Sequence, residues 1–585
     1  MCQQEQLVVG PDDTERSLGV AERVLAALGD EQAVELPVTG RAQEPLPVGE
    51  VGRLAVVSQE FQPVAVVVDV ETPADVERLH TRYRADVGLK SPASGTARRT
   101  SDITRRAPVW SDSYTGAGSQ SPPMRRQPWV RTVARVGVFV LALATLAGTA
   151  LAHGGSLGGA ARPPLSVPAW LVAGTAGVAL GVSAIVTTRS TSRVVTAARP
   201  TLGRHVPVPG QRALVLVANA LGVVTLAGVV VVGYLGPADP LSNGAVVVVW
   251  AGWWAGFAMS TYLLGDTWPA LDPFRTLARP LSALGRTYRW QWGAWPSVAG
   301  LLALGWVEVV GPLADRPPVL ATVVLAYGVV TVGGAVVYGT DVWFQEVDPV
   351  ARVFALYGQV APLRRDDEGS VRFRLPGAGL TEDVLAGADD VAFVVALLWV
   401  PTFDGLVTTP LWGRFARGVV GWGVPALVLY PLALATGFAV YWGLYLAATR
   451  LARRMTGAEV GVPTLARRFA PGLLALAAGY HFAHVFDFFL SLVPALVLAV
   501  IAPFATVDPG ILVVPDWFGW VAVGAVLTGH VLAVLGIRTT AFELFPERDQ
   551  AVRCQYPVAA VMVSFTVVSL WVVTRPEFAP PFLGP

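Results

Sequence analysis

From Pro128 to the C-terminus, apolar runs long enough for about 20 helical residues alternate with loops that carry arginine. In hydrocarbon every backbone amide and carbonyl must be satisfied within the protein, which leaves helices or closed barrels. Runs such as VGVFVLALATLAGTALA and GVVTLAGVVVVGYLG are continuous rather than alternating, so they read as helices. Spans are expected near 130–152, 168–187, 212–235, 244–264, 293–312, 318–340, 388–411, 419–447, 470–498, 517–537 and 557–574. The tract after 470 stays apolar to about Phe504, so it holds either one long span or a span plus a re-entrant piece. Composition agrees: 53% of the 585 residues are hydrophobic and 15% charged, against about 25% charged in soluble domains. The fold class expected is an all-α polytopic membrane protein with about eleven transmembrane helices.

Orientation follows from the loops. Arg189, Arg193, Arg199, Arg204 and Arg212 follow the second span, and Arg275, Arg279, Arg286 and Arg289 follow the fourth. Arg352, Arg364, Arg365, Arg372 and Arg374 follow the sixth; Arg450, Arg453, Arg454, Arg467 and Arg468 follow the eighth. The positive-inside rule then puts the N-terminus in the cytoplasm and, with eleven spans, the C-terminus outside the cell membrane. Arg414 and Arg417, in an expected outer loop, run against this pattern.

Residues 1–90 are a different zone, where acids outnumber bases and no run is long enough to span. Thr14–Leu28 and Pro73–Asp86 read as helices, and GRLAVVS and FQPVAVVVDV as strands, giving a small acidic α+β cytosolic domain. Residues 91–127, rich in Ser, Pro, Gly and Arg, read as a flexible linker, and 128–585 as the transmembrane domain. The N-terminal domain carries no catalytic motif and is a candidate docking piece for a protein partner. Nucleic acid is not expected as a partner, because the basic residues lie between spans rather than on one surface. Cys2 and Cys554 do not suggest a disulfide framework. No signal peptide, phosphate-binding loop, nucleophile elbow or dinucleotide fingerprint is apparent.

The chemistry concentrates in the run Arg467–Leu490, RRFAPGLLALAAGYHFAHVFDFFL. On a helix Tyr480, His484 and Asp487 fall within about 60° of one another, with His481 at the edge of that stripe. An ionisable group at membrane depth costs roughly 2.5–3.5 kcal/mol on insertion scales, so such groups normally face a protein interior or a water cavity. His481, His484 and Asp487, with His530 from the next span, are candidate ligands for a transition metal such as Zn, Cu or Fe. The same groups suit a proton or substrate pathway, or hydrogen bonding between helices. Asp404 in PTFDGLVTTPLW, a segment that Pro and Gly should bend, and Glu308 in GWVEVVGP are candidate catalytic bases. An inner set of Asp266, Asp272, Arg275 and Asp341 is expected at helix ends, with Asp272 capping the helix that Pro273 opens. His153 reads as an outer loop residue.

The strings GDTWPALDPFR, YGTDVW, TFDGLVTTPLW, FAPGLLALAAGYHFAHVFDFFL, GHVLAVL and FELFPERDQAVRCQYPVAAVMVSFTVVSLW occur in that order. In this the chain resembles a family of bacterial and archaeal polytopic membrane proteins known as fenitrothion hydrolase or its membrane component. The resemblance runs from about 152 to Trp571. Its Tyr-x-x-Ala-His core matches Tyr480, Ala483 and His484, whereas His481 is not part of that pattern and Asp272 stands where members often have Asn. The resemblance implies a phosphoester hydrolase that cleaves an organophosphate triester, with water activated by a metal attacking phosphorus. A proton- or metal-coupled transporter or permease component, or a membrane anchor subunit for a partner enzyme, uses the same groups differently.

Overall fold

The computed structural model describes residues 52–56, 66–70, 181, 205–206 and 210–582, apart from short stretches at 282–287, 289–291, 366–369, 458–459, 516 and 576–579. The chain divides into two units, Met1–Pro123 and Met124–Pro585. In the first, the two strands expected from the sequence pair antiparallel, β1 (Gly52–Val56) with β2 (Val66–Val70). The two helices expected there, the linker and His153 lie outside the described residues, as do the span expected at 130–152 and, except for residue 181, that at 168–187.

The second unit is a bundle of apolar helices. Among the described residues, eight are long and apolar enough to cross a membrane. They include α1 (Gln211–Leu235), α2 (Gly244–Leu263), α5 (Pro317–Tyr338), α7 (Ala388–Val407) and α9 (Ala426–Thr456). A ninth apolar helix, α4 (Trp295–Val310), has 16 residues. Between these lie the short helices α3 (Pro273–Ala278) and α6 (Pro349–Tyr357) and, after α7, α8 (Pro410–Gly421). The series continues with α10 (Pro471–Ser491), α11 (Val493–Ile501), α12 (Phe518–Leu544) and α13 (Gln555–Val573). These apolar helices are what a lipid bilayer surrounds: Leu214, Leu216, Val217 and Leu235 of α1 and Val329 of α5 face outward.

Three departures from the expected runs have local causes. The tract after 470 is a span followed by a short helix, because α10 stops at Ser491 and Pro494 opens the next helix. Arg414 and Arg417 sit on α8, a separate helix whose Leu411 and Phe415 are also exposed, as is Trp422 just past its end, the mixed face of an interfacial helix. Within α2, Val248–Phe257 is wound as π-helix, and where it returns to α geometry the Phe257 carbonyl accepts from both Ser260 Oγ and Thr261 Oγ.

α7 is the axis of the bundle, with nearly all of its length buried. Its first turn is tied down by Asp390, which accepts from the Ala386 and Gly387 amides and pairs with Arg352. The entry to α10 is fixed by Arg467, which donates to Asp383 at 2.6 Å and to the Leu385 carbonyl at 2.9 Å, just ahead of α7. These anchors set how far α10 slides along α7, and so which of their buried polar residues meet.

Candidate functional site

Asp404 and His484 meet. Asp404 lies near the end of α7 and His484 in the middle of α10, and His484 Nε2 is 3.0 Å from Asp404 Oδ2. The residues are 4% and 6% exposed. α7 carries Pro401 in its interior, and the Pro401 carbonyl accepts from the Tyr480 hydroxyl at 3.2 Å. Tyr480 lies one turn before His484 and stacks on its ring at an interplanar angle of 7°. The imidazole is therefore held from two sides, by an aromatic face and by a carboxylate. Of the two expected catalytic carboxylates, Asp404 is in this site. Glu308 is elsewhere, on the wall of an apolar cavity.

The four expected metal ligands are each engaged separately. His481 Nδ1 is 3.0 Å from the Tyr262 hydroxyl, His484 faces Asp404, His530 Nδ1 is 2.8 Å from Thr566 Oγ1, and Asp487 accepts from the Phe488 amide. Among the described residues, no group of three or more His, Cys, Asp or Glu is placed to hold a metal ion. Helix α10 turns His481 toward α2 and His484 toward α7.

Tyr262 is the residue that sequence reading missed. It sits at the end of an apolar run, and only the packing of α2 against α10 reveals its partner. Trp254 of the π-helical stretch meets the His481 ring edge to face, with centroids 5.5 Å apart. Trp254 also lines a partly open cavity of about 440 Å³ bordered mainly by α1, α2, α4 and α5, together with Trp253, Phe257, Phe354 and Val400. That volume lies in the usual range for small-molecule pockets, roughly 300–1,000 Å³. One wall residue, Val400, is a turn before Asp404 on α7, and another, Trp254, touches His481. The cavity thus reaches the turn of α7 ahead of Asp404 and, through Trp254, borders His481.

A second pair of carboxylates lies in the connections between spans. Asp272 caps α3, accepting from the Phe274 and Arg275 amides, as the Asp-Pro sequence led us to expect. Asp348 caps α6 in the same way and accepts from the Tyr327 hydroxyl at 2.6 Å. The two segments read alike, Trp268-x-x-x-Asp272-Pro273 and Trp343-x-x-x-x-Asp348-Pro349. Burial pushes the Asp272 carboxyl up to about 7, with nearby Asp348 adding to the rise while the capped amides and Arg275 oppose it. A carboxyl raised on folding stabilises the fold fully below its unfolded value near 4, and that contribution is lost as pH rises through 7. Asp272→Asn keeps the cap and removes the titration. Its melting temperature relative to wild type should rise between pH 5 and pH 8; a constant offset would refute this.

Comparison with protein-family models, curated proteins and solved structures finds no match for this chain.

Proposed function

We propose that this multi-pass membrane protein takes up and releases a proton at Asp404–His484, as a proton-coupled transporter or permease component. The observation that carries the reading is the pair itself: a carboxylate and an imidazole 3.0 Å apart, buried between two apolar helices. Ionisable groups retained at that depth are costly unless paired, and they characterise proton relays in pumps and transporters. Histidine suits the task because its ordinary pKa lies near neutrality. The neighbouring apolar cavity suits an apolar or amphipathic solute, with Glu308 the one acid on its wall among the described residues.

The same contact favours a second reading. Asp404 holding one ring nitrogen of His484 is how a carboxylate orients a histidine general base. Under that reading the chain is a phosphoester hydrolase of the fenitrothion hydrolase family, and His484 draws a proton from water.

Infrared difference spectra of the purified protein between pH 4 and pH 9 test the proposal. A carboxyl band that vanishes in Asp404→Asn and shifts in His484→Gln is expected. Its absence from wild type would sink the proton-handling reading. Turnover of a phosphotriester that His484→Gln abolishes would move the assignment to the hydrolase.

A further inference from the structure

We propose that α8 lies in the boundary layer of the bilayer and that its Arg414 and Arg417 bind the phosphate of an anionic phospholipid. The inference is independent of the proton-handling reading. α8 starts at Pro410, directly after Val407 ends α7, and stops at Gly421, shortly before Ala426 opens α9. Both neighbours are long and apolar enough to cross a membrane. A helix held so closely between their ends sits where hydrocarbon gives way to headgroups.

Its residues divide into three sectors. Trp412, Gly413 and Ala416 are buried. Trp412 meets Phe403, the residue before Asp404, and Tyr430 of α9 edge to face, with centroids 6.1 and 5.2 Å apart. Leu411 and Phe415, about 40° apart around the helix, form an exposed apolar edge. Trp422 extends it past the end of the helix at 85% exposure. Arg414 and Arg417, about 60° apart, form an exposed basic edge on the other side. One sector is taken by the bundle, one suits hydrocarbon and one suits the headgroup layer, which is the division an interfacial helix needs.

The basic edge has no counter-charge nearby in the chain. No Asp or Glu occurs between Thr408 and Pro425. Among the described residues neither Arg414 nor Arg417 makes an ion pair. A Cβ added at Gly413 would lie 3.5 Å from Arg417 Nη1, so the Arg417 guanidinium folds back one turn, toward the level of Arg414. Two guanidinium groups gathered on one turn favour an anion, and their paired N–H donors match phosphate oxygens. The apolar edge decides between a free phosphate and a lipid, because a phospholipid brings hydrocarbon to one edge and phosphate to the other. The two arginines that run against the loop pattern then have a task on their own side of the membrane.

The test uses full-length protein in vesicles, with a fluorophore on Gly418→Cys in a Cys2→Ser background. Nothing lies within 4 Å of a Cβ at Gly418, and Cys554 is buried. Quenching is compared between phosphatidylglycerol and phosphatidylcholine that carry the same nitroxide near the top of the acyl chain. The anionic lipid should quench more strongly, and the preference should shrink as salt rises. An arginine near an anionic surface is worth roughly fivefold, so Arg414→Gln/Arg417→Gln should remove most of the preference. Arg364→Gln, which takes away an arginine already paired with Glu382, should keep it. Should Gly418→Cys fail to fold, Gly421→Cys, equally open, carries the label. Equal quenching by the two lipids, or a preference that the double variant retains, would overturn the proposal. So would displacement of the lipid by inorganic phosphate at matched ionic strength, which would make this a site for a free anion.

Discussion

His484→Phe is expected to destabilise the protein more than Asp404→Asn, although each removes one member of the same contact. Phenylalanine retains a flat ring for Tyr480 to stack on, so little packing is lost, but it has no N–H to give. Asp404 would keep its carboxylate in a site only 4% exposed with its imidazole partner gone. Removing one partner of a buried charged pair costs about 3–5 kcal/mol. Asparagine, in contrast, leaves a neutral amide facing a histidine that can itself be neutral. The loss there should be nearer the 1–3 kcal/mol of an imperfect hydrogen bond. Thermal unfolding in detergent, followed by tryptophan fluorescence, gives the order directly. Equal losses, or a larger one for Asp404→Asn, would mean that the contact carries no ionic character.

The second large effect should come from a residue that does no chemistry. α10 and α12 are the most closely packed helices in the bundle, and they touch through Gly479 and Gly529. A Cβ at Gly529 would lie 2.3 Å from the Ala475 carbonyl oxygen, and one at Gly479 would lie 2.6 Å from that of Ala525. Both obstacles are backbone, which cannot rotate aside, so Gly529→Ala must push the helices apart. Overpacking of this kind costs about 1–3 kcal/mol. Displacing α10 should also loosen the His481 contact with Tyr262 and the His484 contact with Asp404. Gly524→Ala on the same helix is the control, since nothing lies within 4 Å of its added Cβ. There the gain in helix propensity, about 1 kcal/mol, should be neutral or stabilising. If Gly529→Ala behaves like Gly524→Ala, the close approach is not a constraint.

The spans were legible because a bilayer asks for a simple thing, a long apolar run, and each run from 212 onward corresponds to a helix. Caps were legible for a similar reason: Asp272-Pro273 is local chemistry, and α3 begins where it should. The polar stripe on α10 was legible as a stripe, but its partners were not. Whether His484 faces Asp404 or His530 depends on how α10 is rotated and slid against α7 and α12. That is decided by contacts such as Arg467 with Asp383 and Gly479 with Gly529, far apart in sequence. Thr566 carried no signal, since a lone threonine hydroxyl in an apolar helix usually bonds to its own backbone, and Tyr262 carried none because a ring in an apolar run reads as packing. One signal was present and unused: Ala475 with Gly479 and Ala525 with Gly529 are small residues four apart, the spacing that lets membrane helices approach closely.

The π-helical stretch of α2 has a consequence for how that helix tolerates length changes. Ten residues, Val248–Phe257, are wound with i→i+5 hydrogen bonds, so this part of the helix already holds more chain than α geometry would need. Deleting one residue from an ordinary helix turns everything beyond it by about 100°, which here would swing Tyr262 away from His481. A deletion inside Val248–Phe257 can instead be absorbed by tightening a wide turn. The stretch works as slack in the helix, letting the phase of its upstream half drift while Tyr262 keeps its bearing.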